Sequence, residues 1–133
     1  MSGPFIFIST YSVREGRFED ALAACRAVVE LVQSREPNML VFQFFADEAG
    51  QQITSVQVHS DSASMENHMG VISGHLAQSA DWLYSTTDSA ALGDAPASLR
   101  QWYQATGQPL ARFPRHLAGV VRPAAEEVAR TTT

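Results

Sequence analysis

The sequence contains no lysine: all nine basic residues among its 133 are arginine. That absence excludes Schiff-base chemistry, a phosphate-loop lysine and a pyridoxal-phosphate anchor. Together with abundant alanine, it hints at a GC-rich bacterial genome. Cys25 is the only cysteine, so an intrachain disulfide and a thiolate cluster are both excluded. No apolar run approaches the ~20 residues of a membrane-spanning helix, and no membrane partner is expected. The opening MSGPFIFIST lacks the basic flank and small-residue cleavage site of a secretory signal, which makes a cytoplasmic location the expectation. Positive charge is scarce as well. A net charge of -5 argues against nucleic acid as a partner, because phosphate binding needs a basic surface.

What is present reads as one globular domain. Hydrophobic residues make up 45% of the chain, and no repeat, low-complexity tract or linker divides it. The domain is expected to span residues 1–125, with 126–133 a flexible tail. Residues 5–11 form a β-rich run, followed by the polar turn Val13-Arg14-Glu15-Gly16. A helix is expected over about 17–33, stopping before Pro37. LVFQFFAD and QITSVQVHS, joined by Asp47-Glu48-Ala49-Gly50, have the pattern of a hairpin. A second helix is expected over about 64–83, then a Ser/Thr/Asp/Ala-rich loop over 84–96. SLRQWYQATG reads as a short helix closed by Gly107. LARFPRHLAGVVRP reads as a last strand, with Pro114 placing it at an edge or bulge. The order is βαββαβ with an extra helix: an α+β, ferredoxin-like antiparallel sheet with helices on one face.

Period-two reading of the three good strands separates two sets of side chains. Ile6, Ile8, Leu40, Phe42, Phe44, Val56 and Val58 form an almost wholly apolar set. The other set holds Phe5, Phe7, Ser9, Tyr11, Val41, Gln43, Phe45, Ile53, Ser55, Gln57 and His59. Neither set suits water, so a homodimer packed sheet to sheet is expected over a monomer whose C-terminal segment covers the dry face. Ser9, Tyr11, Gln43, Gln57 and His59 between aromatic walls fit a small-molecule pocket. The competing reading is a structural hydrogen-bond network beneath the helices.

Phe18, Leu22, Cys25, Val29 and Val32 recur at helical spacing, which assigns Cys25 to packing before nucleophilic chemistry. In SASMENHMGVISGH, the residues Met65, Met69, Ile72 and Leu76 make one stripe with His68 on its shoulder. Gly70 and Gly74 fall on the opposite face. His68 and His75 are two full turns apart, about 10 Å along the axis, and cannot share an ion. No metal is expected. For His68 two readings stand: a histidine bonded to a backbone carbonyl, or a ligand-facing group that exchanges a proton near neutral pH. His75, further round the helix, is read as structural. Arg100, Arg112, Arg115 and Arg122 are expected to be solvent charges beside an edge strand, with an anion site as the alternative.

The turn at Val13–Gly16, SREPNMLVFQFF entering the hairpin, and QVHSDSASMENHM together resemble the antibiotic biosynthesis monooxygenase-like family. The resemblance covers residues 5 to about 83, and 84–122 stands as a family-atypical extension. It implies a dimeric α+β barrel with a pocket between sheet and helices. Some members oxidise polycyclic phenols or anthrones with molecular oxygen and no cofactor; others degrade haem. The sequence departs from the haem branch, with His59 where a tryptophan is usual and Ser9 where an asparagine is usual. The implied activity is a cofactor-free monooxygenase acting on a small aromatic molecule. His68 or His59 would remove a phenolic proton, Phe5, Phe7 and Phe45 would hold the rings, and Tyr11, Gln43 and Gln57 would fix oxygens. The alternatives are a non-catalytic dimeric carrier with the same pocket and, third, a haem binder.

Overall fold

The computed structural model describes residues 3–122. β1 (Phe5–Val13) runs into a turn at Gly16, and α1 (Phe18–Arg35) follows. Phe18, Ala21, Cys25 and Val32 form the buried stripe of α1, at the spacing that places them on one helical face. Pro37 cannot continue the helix, and the chain turns at Glu36 into β2 (Met39–Asp47). β3 (Gln52–His59) returns antiparallel to β2, and α2 (Ser62–Gln78) starts at Asp61, whose carboxylate accepts from the Ser64 N–H at 3.0 Å.

The next element departs from the expected loop. Residues Leu83–Leu92 form β4, a full strand antiparallel to β1. Its Ser/Thr-rich sequence carries little strand signal. Its inward residues Ser89 and Ala91 are small because α3 (Ala97–Thr106) packs directly above them. α3 ends at Gly107 with φ 67°, as expected for a left-handed cap. The expected final strand shrinks to β5 (Ala111–Phe113), parallel to β4 and stopped by Pro114. The five-stranded sheet has the order β2-β3-β1-β4-β5. The βαββαβ plan holds, with its fourth strand before the short helix rather than after it.

Phe5, Phe7, Met65, Ala91, Leu99 and Tyr103 form one core cluster, and Val13, Phe18, Ala21, Cys25, Ile53 and Trp82 form another. Both lie between the sheet and the helices. On the other side, cross-strand pairing lines up Leu92, Ile6, Val58 and Val41, then Ala90, Ile8, Val56 and Gln43. That face is uncovered, with Ile8 36% and Phe45 59% exposed.

The register corrects the phase read from the sequence. Phe42 pairs with Gln57 and Phe44 with Ser55, so the two phenylalanines face the helices, while Gln43 and Phe45 face outward. Alternation within one strand fixes which residues share its faces. The phase between strands depends on pairing, and here a register shift between Met39 and Val41 sets it. The expected tail, 126–133, lies outside the described residues.

Gly93 links β4 to the turn that leads into α3. Its φ is 109°, its N–H donates to the Phe113 carbonyl at 2.9 Å, and a Cβ there would lie 2.8 Å from the Pro4 carbonyl oxygen. Gly93→Ala should therefore cost about 1–3 kcal/mol, read as a drop of several degrees in melting temperature by circular dichroism. An unchanged melting temperature would show that this corner relaxes freely.

Candidate functional site

A cavity of about 340 Å³ lies between the sheet and helices α1, α2 and α3. Its walls are mostly apolar: Phe42, Phe44, Met65, Met69, Ile72 and Trp82. Polar groups reach it from the sheet floor at Tyr11, Ser55 and Gln57, and from α2 at His68. That mixture of apolar walls and a few placed polar groups is the usual make-up of a small-molecule site.

His68, on the cavity wall, pairs with Glu36, which does not itself line the cavity. Both are buried, and His68 Nδ1 lies 2.8 Å from Glu36 Oε2 and 3.0 Å from Oε1. A carboxylate accepts only, so Nδ1 carries the hydrogen and donates it. The other nitrogen, Nε2, has no hydrogen-bond partner among the described residues. The Phe42 ring packs edge-on to the imidazole at 5.6 Å between centroids, and the His59 ring does so at 5.8 Å.

The structure brings His59 and His68 together but gives them different surroundings. His59 Nδ1 lies 2.7 Å from Ser64 Oγ and its Nε2 lies 2.9 Å from Gln57 Oε1, so both nitrogens are occupied. Burial pushes its pKa down to about 4, helped by the neighbouring His68 and opposed by Asp61. A neutral His59 donates from Nε2 to Gln57 and accepts at Nδ1 from the Ser64 hydroxyl. The bond to Gln57 Oε1 leaves the Gln57 amide NH₂ free to point at the cavity.

The remaining expected residues divide by face and depth. Tyr11 lines the cavity beside Trp82, with ring centroids 6.3 Å apart and nearly perpendicular planes. Burial raises its pKa and keeps the phenol protonated. Ser9 is buried beneath α3 and does not line the cavity; its Oγ lies 3.0 Å from Ser89 Oγ, and Tyr103 Oη lies 2.8 Å from that same Ser89 Oγ. Gln43 and Phe45 lie on the outer face and take no part in the cavity. The expected aromatic wall of Phe5, Phe7 and Phe45 keeps only Phe7; Phe5 is fully buried in the core. Cys25 reaches the cavity as a neutral thiol, because burial pushes its pKa up to about 11. Gly70 and Gly74 have nothing within 4 Å of a built Cβ, in keeping with the helix face away from the sheet.

Sequence reasoning missed Glu36, Phe42, Phe44, Trp82 and Tyr103. The one available signal for Glu36 was an acid wedged between a helix and Pro37, a weak one without knowledge of what lies above it. Among the described residues, no group of three His, Cys, Asp or Glu side chains is placed to hold a metal ion. No described helix is long and apolar enough to cross a membrane.

No family model and no curated protein matches the sequence. Solved structures do. MupZ from Pseudomonas fluorescens is 20% identical, with a TM-score of 0.72 over 91% of this chain and 96% of its own. A candidate antibiotic biosynthesis monooxygenase from Caulobacter crescentus is 14% identical, with a TM-score of 0.63 over 68% of this chain and 89% of its own. Another from Chloroflexus aurantiacus is 13% identical, with a TM-score of 0.56 over 71% of this chain and 94% of its own. The chain therefore has the ferredoxin-like fold of antibiotic biosynthesis monooxygenase-like proteins.

The lowered pKa of His59 has a thermodynamic consequence. Between pH 6.5 and about 4 the unfolded chain binds a proton at this site and the folded chain does not. Folding stability therefore falls as pH drops through that window, by at most about 3 kcal/mol. Urea unfolding of His59→Gln should show a shallower decline between those pH values than the parent. Parallel curves would place the acid sensitivity elsewhere.

Proposed function

We propose that this fold is an acid–base enzyme for an apolar, ring-bearing small molecule, working as a cofactor-independent monooxygenase. The observation that carries this reading is the buried Glu36–His68 pair, whose Nε2 is left open on an apolar cavity. Glu36 positions the imidazole and stabilises it when it takes a proton, the part a carboxylate plays behind a histidine base. Gln57, held by His59, donates toward the oxygen of the anion formed. The apolar walls keep water from that anion.

For an anthrone, His68 Nε2 removes a proton from the methylene carbon beside the rings. The carbanion reacts with molecular oxygen, the carbon becomes a carbonyl, and the second oxygen atom leaves as water. The redox chemistry belongs to the substrate; the protein supplies the base, the oxygen-binding amide and the dry site. The fold shared with candidate antibiotic biosynthesis monooxygenases supports this choice of reaction.

The assembly is a homodimer through the outer sheet face, where Ile6, Ile8, Val41, Val56 and Val58 leave an apolar surface uncovered. Light scattering after size exclusion should give about twice the 14.5 kDa chain mass, and Ile8→Glu should halve it. A parent protein running at chain mass would remove the dimer.

With anthrone as probe, oxygen uptake and proton–deuterium exchange at the methylene carbon are measured separately. His68→Ala should lower both by about 10², and Glu36→Gln should lower turnover with little change in KM. Exchange without oxygen uptake would keep the acid–base enzyme and remove the monooxygenase. Binding with neither would make the protein a carrier.

A further inference from the structure

The floor of the cavity holds a fully buried hydroxyl that has no protein partner among the described residues. Ser55 Oγ is buried, its residue is 1% exposed, and it makes no hydrogen bond among the described residues. It lines the cavity floor at the centre of β3.

Its neighbours explain why the fold leaves it so. Across the sheet, Ser55 stands opposite Phe44 on β2 and Ser9 on β1, and Ser9 stands opposite Ser89 on β4. This makes a row of three serines across the inner face of the sheet, of which only Ser55 lines the cavity. Ser9 and Ser89 close a hydroxyl network with Tyr103, which α3 lowers onto them. Phe44 offers no acceptor to Ser55, and the Tyr11 phenol, near enough to influence it, closes no hydrogen bond with it. A buried hydroxyl without a partner is costly, and an alanine in its place would be cheaper. A polar group entering from the cavity would complete it.

We infer that Ser55 is the oxygen-binding subsite of the cavity, taking a hydroxyl or carbonyl on the ligand remote from the oxygen held by Gln57. This rests on the cavity being the substrate site proposed above. Gln57 and Ser55 are two residues apart on one strand face, which separates them by roughly 7 Å. The ligand class is therefore an apolar ring system with oxygen functions near both ends. Phe44 and Trp82 flank its body, and His68 and Gln57 take one end while Ser55 takes the other. A serine hydroxyl can donate to a carbonyl or accept from a phenol, so the subsite serves either oxygen.

The test compares 2,6-dihydroxynaphthalene, which has an oxygen at each end, with 2-naphthol, which has one. Calorimetric titration without oxygen reads binding alone, so its outcome is independent of any turnover. The parent protein should bind the diol at least about tenfold tighter than 2-naphthol. In Ser55→Ala that preference should disappear while the affinity for 2-naphthol is retained. In His68→Ala the preference should persist, which separates this subsite from the acid–base pair. The ligand-free Ser55→Ala protein should melt at or above the parent temperature, because an unsatisfied hydroxyl has been removed. Equal binding of the two probes by the parent, or an undiminished preference in Ser55→Ala, overturns the proposal. So does a melting temperature several degrees lower, which would make Ser55 a structural hydroxyl.

Discussion

The contact between Glu36 and His68 is the constraint around which the rest is arranged. Two groups able to carry charge are buried side by side, each residue 4% exposed or less. Either group alone in that position would leave an uncompensated polar group, at a cost of several kcal/mol. The pair therefore ties the end of α1 to the first half of α2 and places both against β2 through the Phe42 ring. Because Pro37 ends the first helix at Glu36, the carboxylate lies where the chain turns into the sheet, beneath the second helix. The same contact fixes which imidazole nitrogen is hydrogen-bonded and which is open. An element of architecture thereby becomes an element of chemistry.

The polar residues of the inner face have separate duties. His59 is spent in holding Gln57 and in bonding to Ser64 at the start of α2. Ser9 and Ser89 are spent on Tyr103. Among the groups that line the cavity are His68, the Gln57 amide, Tyr11 and Ser55. A floor built from such groups is expensive unless most are satisfied internally, and here most are. The segment beyond Leu83 contributes to this directly. β4 supplies Ser89, and α3 supplies both Tyr103 and the buried Leu99. Leu83–Leu92 and Ala97–Thr106 thus belong to the sheet and its cover.

The strands and helices with strong periodicity were legible in the sequence: β1, the β2–β3 hairpin, α1, α2 and the Gly107-capped α3. β4 was not, because its inward positions include Ser89 and Ala91 while its outward ones, Asp88, Ala90 and Leu92, mix polar with apolar, so period-two contrast is missing. In the candidate site, His68, Tyr11 and Gln57 were legible from their strand phase and helix angle. Gln43 and Phe45 were assigned to the wrong face for one reason: the phase of β2 relative to β3 is a property of their pairing, not of either strand. Glu36 was invisible because its partner lies 32 residues away on another element.

The sequence by itself determined the class of fold, the exclusion of lysine- and disulfide-based chemistry, and the burial of Cys25. Those follow from composition and local period, which act within a few residues. Only the tertiary structure decided which histidine is free and which is committed, which phenylalanines line the cavity, and which serine is left without a partner. Each of those depends on register and on contacts between distant elements. Hydrogen bonds are short and directional, so the role of a polar side chain is fixed by what folding brings within about 3 Å of it.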